Sequence, residues 1–410
     1  MTPQHLNLLL DLLAQPTAPF REEHVIACVS RVLEQARIPF FADPIGNLVI
    51  GAASHTDYLR RIREKSTEPL RVFIAHMDHP GFHGVEWLSP RREERKRRVP
   101  LVPQEAGRRE GLPRRLKVLW HGGAPVKHLA GSAVWLADSH GWAGSGTLRN
   151  VTLVSSKRTI HSAEVLLDTP LDKPATRLYG GFQFRAPVWR RGKKLYTKAA
   201  DDLVGVFAIV ATALALFGGA KRRTASAPSF IGLLTRAEEV GFVGAVGHFE
   251  LGWLSAKHRP IVCVSLEASR TLPGAIVGKG PVVRLGDRRT VFNPDALKVL
   301  ADLAEHVLPG KHQRRVMDGG ACEATAATAY GFPAIGISVP LGNYHNQGFE
   351  GGPDCAHAEG PAPEFVHLDD IAGELVLCRA LMQPGLPWGD AWRKQRLALQ
   401  KNLRSYRKLL

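Results

Sequence analysis

Apolar residues recur at three- and four-residue spacing in Met1 to Gln15 (Leu6, Leu9, Leu10, Leu13) and again in Phe20 to Ala36 (Val25, Ile26, Val29, Val32, Leu33). Each stretch predicts an amphipathic helix. A turn at Asp43-Pro44-Ile45-Gly46-Asn47 leads into the apolar run Leu48-Val49-Ile50, and Arg71 to His76 reads as a short buried strand. Later in the chain, Leu203 to Phe217 predicts a long apolar helix and Ser229 to Thr235 a strand. Pro260 to Leu266 follows as another strand, Asp295 to Val307 as a helix and Ala334 to Val339 as a further strand. Strands alternating with helices predict an α/β fold with a mainly parallel sheet flanked by helices. Between about Val85 and Arg191 this rhythm breaks. Short β-like runs at Lys117–Trp120, Ala133–Ala137, Val151–Val154 and Glu164–Leu167 are separated there by Gly- and Pro-rich turns.

The expected organisation is a catalytic domain in two halves, 1–84 and 192–388, with a small β domain inserted at 85–191. A basic amphipathic helix at 389–410 would complete the chain. It places Leu399, Leu403, Tyr406 and Leu410 at spacings of three and four, and it is expected to dock on its own domain.

Composition changes this picture little, and charge changes it more. Hydrophobic residues make up 44% and charged residues 22%, as in ordinary globular chains. No window approaches the roughly 18 apolar residues that a bilayer crossing needs. The start lacks a basic leader region or a cleavage site, so a cytoplasmic location is expected. The 5 cysteines have no CxxC spacing, which leaves any metal site to His and carboxylates. The net charge is +16, with 54 Lys and Arg against 38 Asp and Glu. Much of the excess lies in Arg91 to Lys117, read as a solvated loop, and in Arg393 to Lys408.

Candidate chemistry gathers where predicted strands end, which is the edge at which open α/β sheets bind ligands. Ala75-His76-Met77-Asp78 closes one strand, and Asp78 is placed to orient the His76 ring. Asp201-Asp202 precedes the long helix, so one Asp can cap it while the other faces a metal. Glu238-Glu239 follows the strand ending at Thr235, Glu267 closes the next, and His345 lies in the loop after the last. Together these residues supply imidazoles and carboxylates suited to two divalent ions, Zn²⁺ or else Co²⁺ or Mn²⁺. His79 and His83 read as plain loop histidines and His248 as structural. Lys279 reads as a surface turn or a cleft residue, and Cys322 and Glu323 as pocket-lining candidates.

The segments "DPIGNLVIG", "IAHMDHPGF", "KAADDLVG", "TRAEEVGFVGA", "VSLEAS", "GKGP" and "YGFPAIGISVPLGNYH" resemble, in order and context, the glutamyl aminopeptidase and tetrahedral aminopeptidase family of dinuclear zinc exopeptidases. The resemblance implies that Asp201 bridges two metals, with His76 and Glu267 completing one site and Glu239 and His345 the other. It further implies that Glu238 is the general base acting on a metal-activated water, and that Asp78 supports His76. It also implies homo-oligomers built through the inserted domain. Departures are Glu267 where the closest relatives usually carry Asp, Leu203 in place of an Arg, and Gly319 to Ala324 in place of a Gly-Gly-Thr-Asp-type segment.

The expected activity is removal of N-terminal residues from peptides. A carboxypeptidase or a deacylase of N-acyl amino acids uses the same centre and is the first alternative. The second is a non-catalytic protein that binds nucleic acid or an acidic partner through its basic loop and tail.

Overall fold

The computed structural model describes residues 1–89, 114–218 and 227–410. Its central element is an eight-stranded sheet. In spatial order the strands are Phe40–Ala42, Leu48–Ile50, Phe230–Thr235, Leu70–His76, Ile261–Arg270, Ala334–Leu341, Val282–Asp287 and Gln313–Met317. The four from Phe230–Thr235 to Ala334–Leu341 run parallel, as the βα rhythm predicts. All four are almost entirely buried, which is why they read as continuous apolar runs rather than alternating ones.

Helices cover both faces. Pro3–Ala14, Glu23–Ala36, Leu203–Phe217 and Leu368–Leu381 pack on one side with Phe73, Leu234, Val264 and Ile337 of the sheet. The helix Leu203–Phe217 is buried over most of its circumference, consistent with its lack of a polar face. Tyr58 and Ile62 of His55–Arg63 pack on the other face with Val72 and Leu233.

After His76 the chain enters a closed six-stranded barrel formed by Gly81–Leu88, Arg115–His121, Ile160–Leu167, Gly141–Leu153, Ala133–Asp138 and Tyr179–Phe182. Its interior is filled by Phe82, Val118, Val134, Leu148, Val165 and Phe182. Closure removes the exposed strand edges that an open sheet of this size would present. A three-stranded sheet of Val188–Arg191, Lys194–Thr197 and Glu364–His367 then leads back to the main body.

Most of the arginine-rich stretch lies outside the described residues. Its described end is engaged: Arg115 pairs with Glu164 at 2.5 Å and Lys117 with Glu86 at 2.9 Å. The helix Arg393–Tyr406 departs from expectation, because none of its residues is buried. No described helix is long and apolar enough to cross a membrane.

Candidate metal centre

The parallel strands deliver the polar residues to one edge. His76 is the last residue of Leu70–His76, Glu267 lies on Ile261–Arg270, and Glu238-Glu239 form a short turn just beyond Thr235. Asp201 and Asp202 divide their work. Asp202 accepts the Gly205 N–H at 3.0 Å and caps the helix Leu203–Phe217, while Asp201 turns toward the histidines.

Asp201 stands between two imidazoles. Its Oδ1 is 3.3 Å from His76 Nε2, and its Oδ2 is 3.7 Å from His345 Nε2. Glu267 Oε1 lies 3.5 Å from His76 Nε2, and Glu239 Oε2 lies 3.2 Å from His345 Nε2. Two sets, His76–Asp201–Glu267 and Asp201–Glu239–His345, therefore share one carboxylate, and within each the ligand atoms lie within 4.8 Å of one another. Glu238 borders the first set, with Oε2 3.9 Å from His76 Nε2, and also groups with His76 and Glu239.

The donor set fits divalent cations. His76 Nε2, Asp201 Oδ1, Glu239 Oε1 and Glu267 Oε2 are buried and have no hydrogen-bond partner among the described residues. Leaving charged atoms dry and unpaired is costly, on the order of several kcal/mol each. Imidazole nitrogen and carboxylate oxygen are the ligand types that Zn²⁺ and its neighbours accept.

The electrostatics reflect this crowding. Burial raises the carboxyl of Asp201 well above its usual range and nearby Glu267 adds to the rise, against the lowering effect of His76. Burial likewise raises Glu238, with Glu239 and Glu267 adding and His76 opposing. Burial pulls the His76 ring down, yet Glu238, Asp201, Asp78 and Glu267 outweigh it and the ring is raised well above its ordinary value. Burial pushes Glu267 up, but His76, Asp201 and Arg284 hold it below the usual range.

Asp78 has a wider role than orienting one ring. The backbone carbonyl of Asp78 lies 3.1 Å from His76 Nδ1, and its carboxylate is 3.5 Å away. That carboxylate accepts the N–H groups of Glu238 at 2.9 Å and Glu239 at 3.1 Å. One side chain therefore fixes both the imidazole and the paired glutamates.

Sequence reasoning missed several supports. Glu364 accepts from Ala200 N–H at 2.6 Å and Asp201 N–H at 3.3 Å through Oε2, and from His345 N–H at 2.8 Å through Oε1. Glu22 accepts from Ala237 N–H at 3.0 Å and pairs with Arg236 at 2.8 Å. Glu364 is a lone carboxylate and Glu22 sits beside Glu23 at the start of the helix Glu23–Ala36, both outside the quoted motifs, so only the folded chain reveals their roles. His79, expected to be a plain loop residue, is buried and bonds the Asp201 carbonyl at 2.9 Å through Nδ1. His83 bonds the Pro19 carbonyl at 2.7 Å.

The remaining candidates sort plainly. His248 lies between Tyr58 (3.0 Å) and Asp43 (2.8 Å) in a buried chain and is structural in this arrangement. Lys279 is exposed, in a turn whose neighbours Gly278 and Gly280 donate to Asp370. Cys322 and Glu323 are fully buried, Glu323 accepting from Thr235 at 2.9 Å; the pocket beside Glu267 is bordered by Gly319, Gly320 and Ala321 instead. Arg270, Arg284, Met317 and Tyr344 form much of the rest of that pocket.

The family model described as M42 glutamyl aminopeptidase matches residues 179–349, a segment that contains Asp201, Glu238, Glu239, Glu267 and His345. No curated protein sequence matches. Among solved structures, the TET1 peptidase of Pyrococcus horikoshii, which can assemble into a tetrahedron or a large octahedral shell, is similar with a TM-score of 0.66 at 19% identity, over 93% of this chain and 99% of that one. An aminopeptidase from the archaeon Desulfurococcus kamchatkensis gives 0.65 at 19% identity, over 94% and 96%. An endoglucanase from Thermotoga maritima gives 0.59 at 15% identity, over 93% and 99%. At such identities the likeness concerns the fold, and the family match carries the resemblance to peptidases.

Proposed function

We propose, from the premise that this chain is a metallo-aminopeptidase of the M42 glutamyl aminopeptidase type, that it removes N-terminal residues from peptides at a dinuclear centre, with Glu238 as general base. The observation that carries the reading is the Asp201 carboxylate, whose two oxygens face two separate histidine–carboxylate sets, with Glu238 beside them. His76 and Glu267 would hold one ion, Glu239 and His345 the other, and Asp201 both. When bound, two such ions polarise the scissile carbonyl and bring the pKa of water down toward neutrality.

Glu238 takes a proton from the attacking water on its carboxylate and passes it to the leaving amine. In the metal-free chain burial first, and then Glu239 and Glu267 against the opposing His76, raise its carboxyl pKa. Asp78 keeps the glutamate turn in register with His76, and Glu364 does the same for the backbone of Asp201 and His345.

A homo-oligomer in the cytoplasm belongs to the same proposal. The assembly named for the Pyrococcus relative supports the first part. The free thiols Cys28, Cys263, Cys322, Cys355 and Cys378 suit a reducing compartment and support the second. The pocket beside Glu267 favours a second reading. Arg270 borders it and would receive a substrate carboxylate, as a carboxypeptidase or a deacylase of N-acyl amino acids requires, while Arg284 behind it is engaged by Glu267 and Ser269.

Elemental analysis together with hydrolysis of an aminoacyl and an N-acyl panel separates the readings. We expect about two metals per chain in both wild type and Glu238→Ala, with aminoacyl cleavage lowered roughly 10²–10⁴-fold in the variant. Cleavage confined to N-acyl substrates would move the chain to the second reading. A protein that binds no metal and stays inactive with added Zn²⁺, Co²⁺ or Mn²⁺ would remove both.

A further inference from the structure

The helix Arg393–Tyr406 has two contrasting faces and is covered by neither. It is tied to the body at its start: Ala391 is buried, the Trp392 indole donates to Asp295 at 2.8 Å, and Lys298 sits over the Trp392 ring. Beyond that point every residue is exposed. At 100° per residue, Leu399, Leu403 and Tyr406 share one stripe, and they are 60%, 55% and 63% exposed. Leu409 and Leu410 extend the apolar surface past the end of the helix at 83% and 98%. The opposite side carries Lys394, Lys401, Arg404 and Lys408 around the single exposed Leu397, flanked by Arg393, Arg396 and Arg407, and no acidic residue occurs between 391 and 410.

We propose that this helix is an interfacial anchor that lays its leucine–tyrosine stripe into an anionic phospholipid surface while its Lys and Arg residues meet the headgroups. Each face calls for a different environment, and a lipid–water boundary supplies both within the width of one helix. Charge complementarity selects an anionic surface. A second copy pairing helix against helix would bring the same cationic segment against itself. A nucleic acid would neutralise the cations, yet its phosphates offer nothing to the leucine stripe. The linker Met382 to Ala391 packs Met382, Leu386 and Trp388 against the body, and the helix leaves that body only beyond Trp392. No element crosses the bilayer in this arrangement; the helix lies in its surface.

Sedimentation of the full-length, metal-loaded protein with phosphatidylcholine vesicles, with and without phosphatidylglycerol, tests this. Two variants dissect the faces: Leu399→Ser/Leu403→Ser keeps every charge, and Lys401→Gln/Arg404→Gln keeps the stripe. The wild type is expected to pellet with the phosphatidylglycerol vesicles and to stay in solution with phosphatidylcholine alone. Each cation removed should weaken binding about fivefold, and added salt should weaken it further. The leucine variant should lose binding at low salt, with peptidase activity unchanged in both variants.

Wild type that stays in solution with anionic vesicles overturns the proposal. So does a leucine variant that pellets as well as wild type, since binding would then be a matter of charge alone. If the leucine variant changes the subunit number by light scattering and wild type ignores vesicles, the stripe is a contact between copies. Salt-sensitive retention on RNA without vesicle binding would assign the cations to nucleic acid.

Discussion

Asp78 shows how much one side chain can fix. Its carboxylate accepts from both N–H groups of the glutamate pair, so it fixes the backbone from which the Glu238 and Glu239 carboxylates reach the histidines. An Asn in its place keeps one acceptor oxygen and would leave one of those donors unpaired. Asp78→Asn should therefore lower kcat by roughly 10–100-fold, as losses of supporting hydrogen bonds around metal ligands do. Metal content by elemental analysis should stay close to wild type. A variant as active as wild type would show that the turn holds itself. At this scale the sequence was legible where a polar residue sits at or just past an apolar run, with His76 ending its strand, Glu267 inside a strand that runs on to Arg270, and Glu239 in the turn beyond Thr235. It was silent for Glu22 and Glu364, because nothing local distinguishes a Glu that folding brings beneath a ligand from far along the chain.

Elements contribute to the site by close approach, and the barrel does so at Gly123. A Cβ at this position would lie 1.8 Å from His345 Nδ1, so the loop after the strand Arg115–His121 presses directly on that ring. Its neighbour Gly122 has φ +83°, a conformation that other residues adopt only with strain. Gly123→Ala must displace the ring or the loop. A shift of about 1 Å in such geometry costs on the order of 10²-fold in rate. The expected outcome is a stoichiometry nearer one metal than two, because His345 serves one ion set and His76 the other, with the melting temperature of the metal-free protein little altered. Retention of two metals and full activity would mean that the loop yields freely. Sequence patterning located the central strands and the helix Leu203–Phe217 because burial leaves long apolar runs. It overlooked Val282–Asp287 and Gln313–Met317, where Arg284, Arg314 and Arg315 interrupt the run. It also overlooked Leu368–Leu381, which buries Asp370 and Glu374 and so lacks the polar face that periodicity detects.

The whole molecule stores charge at the sheet edge, and its stability should report whether metal is present. In the metal-free chain, burial together with neighbouring acids raises Asp201 and Glu238, and the surrounding carboxylates raise His76 against its burial. A group whose folded pKa is raised holds its proton longer in the folded state than in the unfolded one. The stability it contributes is therefore present below the unfolded pKa and is lost as pH climbs through the folded value. For the carboxyls that loss begins above pH 4–5, and for His76 above about pH 6.5. Glu267 is shifted the other way and offsets only part of the trend. Metal binding reverses the dependence, since the ligands must be deprotonated to coordinate and protons compete at low pH. Melting curves with Zn²⁺ and with a chelator should thus nearly coincide around pH 5 and separate steadily toward pH 8. At a hundredfold excess of free metal over its dissociation constant the stabilisation is about 2.7 kcal/mol per site. For a chain of this length each kcal/mol corresponds to roughly 2 °C or somewhat less. Parallel curves across that pH range would mean that the clustered acids and histidines are not held together by metal, and the dinuclear reading would fall with them.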